Sequence, residues 1–157
     1  MNLQTIRDRP AAEPAPKSAA DLEAAGWRQQ PDDGFLGLVG PVWERQDDEL
    51  FRVGFLAEAK HKNRRSVVQG GMLMTFADRA MGLAARRAHG NRPQATVQLD
   101  VHFVDAAHMG DFVEAHCEVV RKTSSLIFIS GTLFTGNRIV ATGSGIWKML
   151  RDPKPSA

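Results

Sequence analysis

A single cysteine, Cys117, is the entire thiol content of this 157-residue chain, so an intramolecular disulfide is impossible. That permits a reducing compartment without demanding one. No apolar run approaches the roughly 20 residues of a membrane-spanning helix. The first twenty residues, rich in Ala, Pro and charge, lack the apolar segment of a secretory signal. Charge of one sign is scarce in excess: 20 Lys and Arg against 18 Asp and Glu leave a formal net charge of +2, too little to argue for a nucleic-acid surface. The histidines His61, His89, His102, His108 and His116 show no metal-ligand spacing, and Cys117 alternates onto an apolar face. Neither a phosphate-loop nor a dinucleotide glycine motif is present. The expectation is a cytoplasmic protein with no metal, no redox cofactor, no nucleic-acid partner and no membrane span.

What is present fits one globular domain: 43% of residues are apolar and 24% charged. Residues 1–17 read as a flexible arm, 18–150 as the domain and 151–157 as a tail. Ser18-Ala-Ala-Asp21 has the form of a capping box with Asp in the acidic position, opening a short helix that Gly26 ends and Trp27 packs onto the body. Residues 35–44 and 49–57 read as strands joined by the polar turn Arg45-Gln46-Asp47-Asp48. After a loop over 58–69, the stretch from Gly70 to about His89 is helical, with Gly90 as its C-terminal cap. Met72, Leu73, Met74, Phe76, Ala77, Ala80, Met81, Leu83 and Ala84 surround most of that helix, which predicts burial. Residues 95–104, 112–122, 126–134 and 138–150 read as strands, the last two joined at Thr135-Gly136-Asn137. Two strands, one long helix and four strands argue for an α+β fold with an antiparallel sheet wrapping the helix.

Chemistry concentrates in Asn63 to Asp78. Gly70-Gly71 at a helix start would present N–H groups with no intrahelical partner, at the positive end of the dipole. Such a site suits a carbonyl that gains negative charge in acyl transfer; a plain loop-to-helix turn is the alternative. Between Gly71 and Ala85 only Asp78 and Arg79 are charged. A carboxylate in such surroundings is either paired or working. Adjacent residues on a helix diverge, so Arg79 is poorly placed to pair with it, though a partner elsewhere remains open. Asp78 lies eight residues past Gly70, about 12 Å along one helix. One carbonyl cannot easily touch both in one protomer, so a joint role requires a two-fold dimer. Asn63 can hold a water or a substrate oxygen, or cap its own turn. Thr96, opening the next strand, can orient Asp78 or merely fit the pleat.

This constellation resembles the hotdog-fold acyl-CoA thioesterases, in particular the phenylacetate-pathway type within the 4-hydroxybenzoyl-CoA thioesterase-like superfamily. The resemblance covers roughly residues 34–149. It rests on Asn63, Gly70-Gly71, Asp78 and Thr96, on Phe103 leading to Gly110-Asp111, and on Gly40-Pro41. It implies a long central helix wrapped by a curved antiparallel sheet that continues across a dimer, alone or in a dimer of dimers. It implies hydrolysis of an acyl-CoA thioester to a free acid and CoA, with CoA as part of the substrate. In that layout Gly70 N–H polarises the carbonyl, Asn63 positions it or the water, the partner protomer's Asp78 serves as general base or nucleophile, and Thr96 supports Asp78. Gln69 stands where many members carry His, so hydrogen bonding persists there without proton shuttling. Asp105-Ala106-Ala107 replaces the family's frequent Pro and basic residue. Gly71 is an implied substrate contact, Arg64, Arg65, Arg121, Lys122, Ser124 and Ser125 are the implied contacts for the CoA portion, and Met74, Met81 and Phe76 for the acyl group, although ordinary core and an ordinary hairpin are alternatives. Two rival readings remain: an acyl-thioester hydratase or dehydratase, and an acyl-CoA-binding or regulatory protein without turnover.

Overall fold

The computed structural model describes residues 16–47 and 50–150. The arm expected over 1–17 lies outside these except for Pro16 and Lys17, and the tail over 151–157 lies wholly outside. Ser18 opens helix α1 (Ala19–Ala24), its Oγ accepting from the Asp21 N–H at 3.2 Å. The Asp21 carboxylate accepts from the Lys17 N–H rather than closing back on Ser18 alone. Gly26 takes φ +82°, and Trp27 then turns inward edge-on to Phe112, with ring centroids 4.8 Å apart. With Leu22 and Trp43 these rings form a small second core that fastens α1 to the sheet, as the sequence predicts.

The first predicted strand is half right. Strand β1 is the two-residue segment Arg28–Gln29, which the sequence does not announce, and Phe35–Val39 is a short helix, α2. Asp32 Oδ1 accepts from the Gly34 N–H at 2.8 Å, and this local bond starts a helical turn where apolar residues alone suggested extension. Extended structure begins only after Gly40-Pro41, in β2 (Val42–Asp47). Arg45 and Gln46 therefore lie in a strand and not in the predicted turn, and β3 follows at Leu50–Leu56. The central helix α3 spans Gly70–Ala88, with His89 as its cap and Gly90 at φ +79°. Strands β4 (Gln94–Phe103), β5 (Phe112–Lys122), β6 (Leu126–Thr135) and β7 (Arg138–Met149) fall within a residue or so of their predicted limits.

The seven strands form one open, fully antiparallel sheet in the order β1-β2-β3-β5-β6-β7-β4, and α3 lies across β4 to β7. The helix is not apolar on all sides. Met72, Leu73, Phe76, Ala77, Ala80, Met81 and Ala85 form the stripe buried against the sheet, while Met74 is 42% exposed and Arg86 and Arg87 face outward. Asp78 sits at the margin of that stripe and is half-buried. A close fit fixes the helix on the sheet. Gly131 and Gly143 are cross-strand neighbours, and Met81 lies so near both that an added Cβ would stand 2.9 Å from its Sδ at Gly131 and 3.3 Å from its Cε at Gly143.

Strand β4 is the edge of the sheet. Its inner neighbour is β7, its outer edge pairs with nothing among the described residues, and Val97 and Phe103 are 58% and 53% exposed. A register shift between Thr96 and Gln98 marks a bulge near its start. An open edge carrying large apolar side chains is the kind of surface that soluble proteins cover or pair.

Candidate active site

The side chain of Thr96 closes on Asp78. Thr96 Oγ1 donates to Asp78 Oδ1 at 2.8 Å across the contact between β4 and α3. The geometry follows from the connection between the two elements. The Gln94 amide donates to the Gly82 carbonyl and accepts from His89 Nε2 at 3.0 Å, tying the start of β4 to the last turns of α3. Because Gln94 uses its N–H2 on Gly82, its oxygen must accept, which makes His89 the Nε2–H tautomer. No cation lies within ion-pair distance of Asp78 among the described residues. The structural salt bridge left open by the sequence is absent there.

Asp78 and Thr96 open onto a cavity of about 430 Å³ between α3 and the start of β4, floored by Trp147. Arg79, Arg86 and Arg92 also line it, and of these the sequence drew attention only to Arg79. The signal available was the spacing of 78, 82 and 86, which puts an acid, a gap and a cation on one helix face.

At the other end of α3, Gln69 is the N-cap, with Oε1 accepting from the Met72 N–H at 3.3 Å. Its amide folds over the helix entrance so closely that a Cβ at Gly71 would stand 2.6 Å from Oε1. The Gly70 and Gly71 N–H groups have no acceptor among the described residues. The Phe103 ring covers Gly70, 3.2 Å from where a Cβ would stand. Asn63 caps its own loop, Oδ1 accepting from Arg65 N–H at 2.8 Å and from Val67 N–H at 3.4 Å. Its amide N–H2 has no partner among the described residues.

The structure therefore brings Asp78 and Thr96 together, and Asn63, Gln69, Gly70 and Gly71 together, in two groups about 12 Å apart along α3. Arg64 and Arg65 are exposed beside the second group. Arg121, Lys122, Ser124 and Ser125 stand at the opposite end of the helix, where Lys122 Nζ donates to the Ala88 carbonyl at 2.8 Å. Thr123, not singled out by the sequence, organises that turn by accepting from the Ser125 and Leu126 N–H groups. Of the residues expected at an acyl pocket, Phe76 and Met81 are sealed in the core at 0% and 2% exposure, while Met74 lies on the outer face. The described residues hold no His, Cys, Asp and Glu cluster of metal-binding form. Burial pushes the Cys117 thiol up to about 12, far from the thiolate a nucleophile needs. Among the described residues, no helix is long and apolar enough to cross a membrane.

Residues 66–142 match the family model of the thioesterase superfamily. The protein PA0474 of Pseudomonas aeruginosa, provisionally named an esterase, is 34% identical over 116 residues, covering 73% of this chain and 87% of that protein. The conserved protein PA5202 of the same organism has a solved structure with TM-score 0.69 and 26% identity, over 76% of this chain and 95% of that one. The Bacillus halodurans protein BH2602, solved with CoA, gives TM-score 0.60 and 28% identity, over 67% of this chain and 70% of that one. With its long helix wrapped by an open antiparallel sheet, the chain belongs to the hotdog-fold thioesterase superfamily.

Proposed function

We propose that this protein hydrolyses an acyl-CoA thioester to a free carboxylic acid and CoA, in a homodimer or a dimer of such dimers. The observation that carries this reading is the Asp78 carboxylate, held by Thr96 at the mouth of a cavity with no cation paired to it. The CoA in the Bacillus halodurans structure supports the choice of thioester.

Asp78 and the free Gly70 N–H are too far apart in one protomer to act on one carbonyl. Pairing β4 with the same strand of a second copy covers the open edge and carries each Asp78 toward the other copy's α3 entrance. In the complete site the Gly70 N–H and the helix dipole stabilise the oxyanion of the tetrahedral intermediate. Asp78 either takes a proton from the attacking water or attacks the carbonyl itself. In both cases the tetrahedral adduct breaks its C–S bond and expels the CoA thiolate, which takes up the proton released by water; in the second case water then opens the resulting anhydride. Thr96 leaves the second carboxylate oxygen free for that work. The Asn63 amide N–H2 is available to the water or the thioester. In this reading Arg64 and Arg65, and from the far end of the helix Arg121 with Ser124 and Ser125, meet the phosphates of CoA. Gln69 is committed to its cap, which gives no support to the hydratase reading with its catalytic histidine.

A panel of acyl-CoA substrates with a free-thiol readout tests the proposal directly. Asp78→Ala should abolish turnover while the fold, read by circular dichroism, stays intact. Full activity in that variant removes the mechanism, and tight acyl-CoA binding without turnover across the panel replaces it with a binding protein.

A further inference from the structure

The cavity does not end at Asp78. It runs on between α3 and the β4 approach to Arg86 and Arg92, and among the described residues Asp78 is the only acid that lines it. Asp78, Gly82 and Arg86 are spaced four apart and share one helix face. Gly82 lies between the acid and the arginine, with the Trp147 indole and the Gln94 amide against it, and all of them line the same cavity. The helix sets Arg86 about 12 Å beyond Asp78. From the strand side, Arg92 lies in the turn just before β4, four residues ahead of Thr96. The helix and the turn before β4 thus each bring an arginine to the cavity that Asp78 and Thr96 line.

Neither arginine is used up. Arg86 Nε donates to the Asn91 carbonyl and Arg92 Nε to the His89 carbonyl, both at 3.3 Å. These bonds hold the side chains while leaving their terminal N–H2 groups uncommitted among the described residues. Neither forms an ion pair there. Arg79, the third cation of the cavity, has a buried Nε without a partner. Glu44, half-buried and outside the lining, attracts it, and burial pushes that carboxyl up despite Arg79 and Arg87. Three cations against one acid, in a recess, create a net demand for an anion.

We propose that this recess is an acyl-tail subsite for a carboxylate, so that the preferred thioesters are those of dicarboxylic acids, with the distal carboxylate on Arg86 and Arg92. The inference rests on the hydrolase reading above. A guanidinium fork matches a carboxylate in two parallel hydrogen bonds. At about 1.2 Å per bond, a span of roughly 12 Å corresponds to seven or eight bonds plus one hydrogen bond, the reach of a diacid of about eight carbons. The first phosphate of CoA is the competing anion. It lies some thirteen bonds from the sulfur, about 16 Å, which overshoots the arginines.

The test compares suberyl-CoA with octanoyl-CoA, equal in length and different only at the far end. Wild-type kcat/KM should favour suberyl-CoA by at least about tenfold, the lower end for hydrogen bonds to a charged group. In R86Q/R92Q that ratio should collapse toward one, and in R86K/R92K it should fall only in part. Should the double variants fail to fold, the wild-type ratio still decides. Turnover of octanoyl-CoA with no suberyl preference overturns this inference and leaves the hydrolase reading standing. A rise in the inhibition constant of free CoA in R86Q/R92Q, as large as the loss for suberyl-CoA, assigns the arginines to phosphate and also overturns it. If neither thioester is turned over, the hydrolase reading is decided by the wider acyl-CoA panel. Calorimetric titration of the wild type with suberate and with octanoate then decides the subsite, and equal binding of the two, or none, rejects it.

Discussion

Replacing Thr96 with valine removes one hydroxyl and keeps the shape of the side chain. The Oγ1 donor stands 2.8 Å from Asp78 Oδ1. A hydrogen bond to a charged group contributes about 1.5–3 kcal/mol. Thr96 is exposed and Asp78 half-buried, so water competes for the carboxylate and the low end applies. If the hydroxyl holds Asp78 in its reactive orientation, about 1.4 kcal/mol is a tenfold loss in kcat, with KM little changed. Stability should barely move, because an exposed substitution away from the core costs within about 0.5 kcal/mol, roughly 1–2 °C for a chain of this size. Thr96→Ser is the control: it keeps the donor and loses only a methyl. Steady-state kinetics with free-thiol detection and thermal melts on all three proteins decide the matter. Equal kcat for Thr96 and Val refutes the orienting role. A Ser variant as slow as Val shows that packing, not the hydroxyl, is what the position supplies.

Gly54→Ala should be among the costliest single-methyl additions in the molecule. Its Cβ would stand 2.3 Å from Phe112 Cζ, a ring already fixed edge-on against Trp27. Overpacking of about 3 kcal/mol predicts a Tm lower by roughly 6–12 °C, and a melt within 2 °C of wild type contradicts it. His61 gives a pH test. Its Nε2–H donates to the Val39 carbonyl at 2.7 Å while Nδ1 accepts from the Glu58 N–H at 3.0 Å, so the ring is committed as the neutral form. Burial holds its pKa below the ordinary 6.5. In the window below 6.5 the unfolded chain therefore binds more protons than the folded one, and stability falls as pH falls. Urea titrations should show wild type losing more stability than His61→Gln between pH 7.5 and 5.5; parallel losses exclude the effect. Cys117, its thiol raised to about 12, should resist iodoacetamide at pH 8 in the folded protein and react once unfolded. Rapid labelling of the native state would show that this face of the sheet opens.

Legibility followed the range of the interactions involved. The α3 limits and the strand limits of β5 were readable because caps and period-two alternation are local. The Phe35–Val39 helix was not, since an Asp32 side-chain bond outweighed an apolar run that fits a strand equally well. The near-uniform oiliness of α3 concealed which face is open, because Ala, Gly and Met sit on either side of the stripe at little cost. Pairing of Asp78 with Thr96 was anticipated, whereas the cavity arginines were not. Arg86 and Arg92 come to line one cavity because Gln94 folds the β4 approach back onto Gly82, a contact across sequence that no periodicity encodes.

The nesting of Met81 between Gly131 and Gly143 has a consequence for evolution of the site. A thioether seated in two adjacent glycine dimples works as a detent, indexing the helix along its own axis against the strands beneath. The acid three residues upstream inherits that index. Any side chain gained at either dimple would ratchet the whole rod and carry the carboxylate off its threonine, so selection on a reactive group can be read out in residues that never approach a substrate.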